Sequence, residues 1–128
     1  MPPKRRTDPA AGLAALQQWR ADATAVDRTT RATAVRFTLE QLAANAPGHT
    51  LEVRVPPYGV TQCLPGPRHT RGTPPNVIET DAETWLALAT GAQSWQQALA
   101  SGAVRASGER ADLTDLLPVV RRAGTVQG

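Results

Sequence analysis

The 128-residue sequence predicts an α+β domain, with strands gathered in the middle of the chain and helices toward both ends. Three observations carry that prediction. LEVRV, residues 51–55, alternates apolar and charged residues with the period of two of a half-buried strand. The stretches 9–20 and 27–45 repeat their apolar residues at helical spacing. From Glu79 to Leu117 the chain reads as a helix, a glycine stop, a second short helix, another glycine stop, a strand and a final amphipathic turn or helix.

In order along the chain, MPPKRRTD (residues 1–8) combines two prolines and three cations without apolar periodicity, which predicts a disordered basic arm. A first helix is expected from Pro9 to Arg20, with Leu13, Leu16 and Trp19 at helical spacing and Pro9 tolerated in the first turn. A longer one should run from Asp27 to Asn45, with Val35, Leu39, Leu42, Ala43 and Ala46 on one face, until Pro47 and Gly48 stop it. In the strand that follows, Leu51, Val53 and Val55 point one way and Glu52 and Arg54 the other. Tyr58–Leu64 offers a second strand with Val60, Gln62 and Leu64 on one face. PGPRHTRGTPP, residues 65–75, is too rich in Pro and Gly for regular structure and reads as an ordered loop or a lid. NVIET, residues 76–80, resumes strand character.

Thr80 and Glu83 have capping-box spacing for the next helix, whose stripe of Trp85, Leu86, Leu88 and Ala89 runs to Gly91. Ser94 and Gln97 repeat the device for a second helix ending at Gly102. Val104 and Ala106 then alternate with Arg105 and Ser107 up to Gly108. Residues 121–128 read as a flexible tail, leaving 9–120 as the folded domain.

Charge placement bears on function. The net charge is +3, yet Lys4, Arg5, Arg6, Arg121 and Arg122 lie in the tails and leave a near-neutral body, unlike the basic stripe of a folded nucleic-acid reader. No nucleic-acid partner is expected. With one cysteine there is no internal disulfide, and no apolar run approaches the ~20 residues that span a membrane, so no stable membrane insertion and a cytoplasmic location are expected.

The succession W-L-x-L-x-T-G from Trp85, then x-W-x-x-A-x-x-S-G-x-V around Trp95 and Val104, resembles the C-terminal half of the sterol carrier protein 2 fold. The middle piece, RVPPYGVTQCLPGPRHTRGTPPNVIETD, is similar to small actinobacterial proteins described as bacterial sterol carrier protein orthologues. The resemblance covers residues 30–117 and implies a mixed or antiparallel sheet of about four to five strands, covered by helices on one face. It also implies an apolar groove or tunnel taking fatty acid, acyl-CoA or a similar small apolar or amphipathic ligand. Such relatives bind and transfer, without cofactor or intrinsic catalysis. The chain ends GTVQG, not on the Ser-Lys-Leu type of address, so peroxisomal biology does not carry over.

Two sets of candidate site residues follow. Val53, Val55, Val60, Val77, Ile78, Trp85, Leu86, Trp95, Leu99, Val104, Leu113, Leu116 and Leu117 either line such a cavity or fill an ordinary core. Trp85 and Trp95 stand out, because large rings on adjacent helices can act as removable walls. Arg68, His69 and Arg71, in the Pro/Gly loop, are candidates to clamp a carboxylate or phosphate head group.

Cys63, six residues from His69, invites a nucleophile reading, but no orienting acid or oxyanion motif accompanies it and a strand more often buries a lone Cys. No metal-ligand spacing occurs. Glu109, Asp112 and Asp115 cluster near an expected helix start, where the helix dipole accounts for acids. The expectation is a monomeric or weakly dimeric carrier. The rival is a protein-interaction module that keeps the fold, has filled its cavity and regulates a partner enzyme.

Overall fold

The computed structural model describes residues 5–66 and 76–120. Helices α1 (Pro9–Ala21) and α2 (Arg28–Asn45) lead into strands β1 (Leu51–Val55), β2 (Gly59–Cys63) and β3 (Asn76–Thr80). Helices α3 (Ala82–Thr90) and α4 (Trp95–Ala100), strand β4 (Val104–Ser107) and a 3-10 turn over Thr114–Leu116 complete the order. The strands form one mixed sheet in the order β2-β1-β3-β4, with β1 parallel to β3 and both outer pairings antiparallel. This is the expected α+β architecture.

Each helix starts for a local reason. Asp8 caps α1 by accepting from Ala11 N at 3.1 Å, and Asp27 caps α2 by accepting from Thr30 N at 2.7 Å. The hydrogen bonds from Thr30 hold the Asp27 carboxyl below its ordinary pKa, since they favour the charged acceptor. In α4 both halves of the capping box form, Ser94 with the Gln97 amide and Gln97 with the Ser94 amide. Gly91, at φ 83°, ends α3 in the left-handed region that favours glycine.

Three expectations need correction. Arg5–Asp8 are not a free arm, because the Glu40 carboxylate on α2 accepts from the Arg6 and Thr7 amides at 3.3 and 3.0 Å, and Arg5 bonds Gln41. Thr80 does not cap α3: Asp81 does, accepting from Thr84 N at 2.7 Å, while the Thr80 hydroxyl donates to Ala103 O at 2.8 Å. The second strand presents the opposite face to the helices from the one expected. Val55 pairs with Gly59, Val53 with Thr61 and Leu51 with Cys63, which places Val60 and Gln62 with Arg54 and Glu52 on the outer face. A Cβ on Gly59 would meet Leu39 Cδ1 at 3.2 Å, so α2 crosses this strand at a residue without a side chain.

The helices cover the face of Leu51, Val53, Val55 and Ile78, all fully buried. Helix α1 is seated on α2 through Gly12, whose Cα faces the Phe37 ring closely enough that a Cβ would stand 2.3 Å from Phe37 Cγ. After the 3-10 turn, Val119 and Val120 both donate to Ala89 O, at 2.8 and 3.1 Å, and pin the chain beside the C-terminal end of α3.

Candidate functional site

The apolar layer between sheet and helices brings most of the first candidate set together. Val53, Val55, Ile78, Trp85, Leu86 and Leu113 have no accessible surface, and Val104 and Trp95 keep 5% each. A side chain with no accessible surface touches neither bulk water nor any internal void large enough for a water molecule. These side chains therefore pack against one another and against Phe37, Leu39 and Leu42 in one cluster, with Leu116 and Leu117 partly buried at its margin.

Three members of the set fall elsewhere. Val60 is 59% exposed and Val77 sits opposite Glu52 on the outer sheet face, because the strand register turns both away from the helices. Leu99 is 42% exposed on the solvent side of α4, a short helix that buries only Trp95 and Ala98.

The layer holds a polar arrangement between α2 and α3. Trp85 Nε1 donates to Thr38 Oγ1 at 2.8 Å, and that hydroxyl in turn donates to the Ala34 and Val35 carbonyls at 2.8 and 2.9 Å. Trp85 is thus anchored across α2 and α3 rather than hinged at an entrance. Trp19, at the rim, donates to Glu83 Oε1 at 3.0 Å while the other oxygen of Glu83 takes Arg31 at 2.9 Å. One carboxylate so ties α1, α2 and α3 together.

Cys63 is fully buried, and desolvation pushes its thiol up to about 12, which keeps it protonated and unreactive as a nucleophile at neutral pH. Arg68, His69 and Arg71 lie outside the described residues. Among the described residues no group of three or more His, Cys, Asp or Glu could hold a metal ion, and no helix is long and apolar enough to cross a membrane. Asp112 closes a turn by accepting from the Thr114 hydroxyl and amide, at 2.6 and 2.8 Å, which holds its carboxyl below the usual range. That local role accounts for the acid near the 3-10 turn.

Among the described residues, the clefts open to solvent at the sheet include two of similar size. One, of about 460 Å³, lies on the outer face over Arg54, Pro56, Pro57 and Val60. The other, of about 550 Å³, lies between Arg31, Tyr58, Asp81 and Glu83 at the start of α3. Residues that the sequence reading did not single out lie at the opposite end of the sheet, where Thr50, Asn76 and Arg110 converge; no local pattern joins positions so far apart in the chain.

No curated protein matches this sequence. A family model described as bacterial SCP ortholog matches residues 27–119, from the cap of α2 to the pinned Val119. The match takes in the whole sheet, α2, α3 and α4, and leaves α1 before it. With a four-stranded mixed sheet under helices in the order described, the chain belongs to the bacterial sterol carrier protein orthologue family.

Proposed function

We propose that this protein is a non-enzymatic binding protein for a small apolar or amphipathic molecule, of the class of fatty acids, acyl-CoA or similar lipids. The observation that carries the reading is the predominantly apolar layer between helices and sheet in a chain of the sterol carrier orthologue family. The chain's one thiol is buried in that layer as a neutral group, consistent with binding rather than chemistry. A cytoplasmic location and a monomer or weak homodimer go with this reading.

Among the described residues the layer is closed, so binding has to open it. An acyl chain entering between sheet and helices displaces side chains that now have no accessible surface, among them Leu86 and Leu113. That makes the ligand-bound state a repacked one, reached by population shift. The same closed packing favours a second reading, in which the cavity is permanently filled and the fold serves as an interaction module for a partner enzyme.

Titration with dodecanoate, followed by methyl NMR of Val53, Ile78, Leu86 and Leu113, separates the two. Saturable changes at these methyls, with slower hydrogen exchange in β1 and β3, support the carrier. Unchanged methyls support the filled module.

A further inference from the structure

We infer that the cleft of about 550 Å³ between the α1–α2 turn, the β1–β2 hairpin and the start of α3 is a head-group site for an uncharged polyol, such as glycerol, on the amphipathic ligand. The inference rests on the carrier reading for the alkyl chain and goes beyond it in naming the head.

Four segments build the cleft. Ala23 and Thr24 come from the turn between α1 and α2, Pro56 and Tyr58 from the hairpin, Asp81, Ala82 and Glu83 from the start of α3, and Arg31 from α2. Glu83, bonded to both Trp19 and Arg31, fixes three helices around it. The cleft is open to solvent as it stands, so no part of the fold has to move for a head group to enter. Its inner wall is the margin of the apolar layer, since Ala82 is 7% exposed within the core and Ala23 and Tyr58 pack against that core. An alkyl chain joined to a group in the cleft therefore starts at the layer.

The polar wall offers both donors and acceptors. Arg31 gives Nε to Glu83 at 2.9 Å and Nη2 to the Ala23 and Val26 carbonyls at 3.5 and 3.4 Å. That leaves Nη1 without a carbonyl or carboxylate partner among the described residues. The Tyr58 side chain stands beside this guanidinium: Glu83 foremost, and Tyr58 with it, hold the Arg31 pKa above its ordinary value. Asp81 spends one oxygen on the Thr84 amide, at 2.7 Å, and its other oxygen has no partner among the described residues.

Charge selects the head group. One cation, Arg31, stands here against two carboxylates, Asp81 and Glu83, so a carboxylate or phosphate head meets net repulsion. An ammonium only donates, and would leave Arg31 Nη1 unmatched beside a like charge. A hydroxyl both donates and accepts. A diol can donate to the Asp81 oxygen while accepting from Arg31 and Tyr58, with its carbon atoms against Pro56 and the Tyr58 ring.

The test uses the full chain and three probes, 1-monododecanoylglycerol, dodecanoate and free glycerol, followed by amide NMR at Thr24, Tyr58 and Asp81 and methyl NMR at Leu86 and Leu113. The monoglyceride should shift both sets of signals saturably and bind about tenfold tighter than dodecanoate. Asn caps a helix as well as Asp does, so Asp81→Asn keeps α3 while replacing a charged acceptor by an amide donor. It should weaken the monoglyceride about tenfold and leave dodecanoate, relieved of one repulsion, unchanged or tighter. Glu109→Gln, the same change of charge on the exposed turn after β4, should do neither.

Glycerol that shifts the cleft amides by itself assigns a free polyol to the same site, and shifts with the monoglyceride alone assign a lipid. The site is overturned, with the carrier reading left standing, if the methyls respond while the cleft amides do not, if dodecanoate binds as tightly as the monoglyceride, or if Asp81→Asn leaves the ratio of the two affinities unchanged. Cleft amides that move while the methyls stay still keep the polyol site and overturn the carrier reading. Amides and methyls unmoved by all three probes overturn both.

Discussion

Replacing Gly12 by Ala sets two effects of known size against each other. In an exposed helix interior the change stabilises by about 1 kcal/mol, because Ala is the better helix former. In α1 the new methyl would stand 2.3, 2.4 and 2.6 Å from Phe37 Cγ, Cδ1 and Cβ. Carbon atoms rest about 3.5–4.0 Å apart, so the helices must separate by roughly 1 Å or more. Phe37 cannot yield instead: its Cβ is fixed to the α2 backbone, and its ring is fully buried. Separation loosens the packing of Leu16 and Ala15, which α1 contributes to the core.

Overpacking of this kind costs about 1–3 kcal/mol, and loosened contacts add to it, so packing outweighs propensity. We expect Gly12→Ala to be less stable by about 1–2 kcal/mol, a fall in melting temperature of roughly 3–10 °C for a domain of this size. Urea and thermal unfolding measure it, and Phe37→Leu, which makes room, should shrink the effect of Gly12→Ala in a double-mutant cycle. A variant as stable as the parent, or more so, would refute the close seating of α1 on α2.

Other consequences can be checked with the same instruments. Thr38→Val keeps shape but strands the buried Trp85 N–H, which should cost about 1–3 kcal/mol; in a Trp85→Phe background, where no donor remains, the loss should be smaller. Cys63 should resist iodoacetamide in the folded protein and react after unfolding, since it is buried and protonated. Its thiol titrates near 8.5 in an unfolded chain and is pushed up to about 12 in the fold, so the folded state binds more protons between those values. Stability from this group is accordingly full below pH 8.5 and is lost as pH rises from about 8.5 toward 12; Cys63→Ala should remove that part of the alkaline slope.

Local patterns were legible wherever one segment decides its own structure. LEVRV became β1 with the expected alternation, and the Ser94–Gln97 capping box formed in both halves, because period and cap chemistry are properties of adjacent residues. Where distant pairing decides, local pattern misled. Val60, Gln62 and Leu64 show more apolar contrast than Gly59, Thr61 and Cys63, yet pairing with Val55, Val53 and Leu51 turned the second group inward. Thr80 and Asp81 are both competent caps, and only the pairing of Thr80 with Val104 and its bond to Ala103 commits Thr80 elsewhere.

The candidate sites divide along the same line. Period and hydrophobicity identified the apolar layer, including Val53, Ile78, Trp85 and Leu113, but not whether side chains fill it, since packing is settled between elements. Thr38 facing Trp85, and Asn76 joining Thr50 to Arg110, carry no local signature at all. Each contact is made by the meeting of segments remote in the chain.

Native mass spectrometry of the protein purified from its own host tests the central claim most directly. The carrier reading predicts a population carrying a noncovalent mass of one small amphipathic molecule, released by organic solvent and replaced by added dodecanoate. A bare polypeptide mass, together with no uptake of dodecanoate or a long-chain acyl-CoA at saturating concentration, would contradict it.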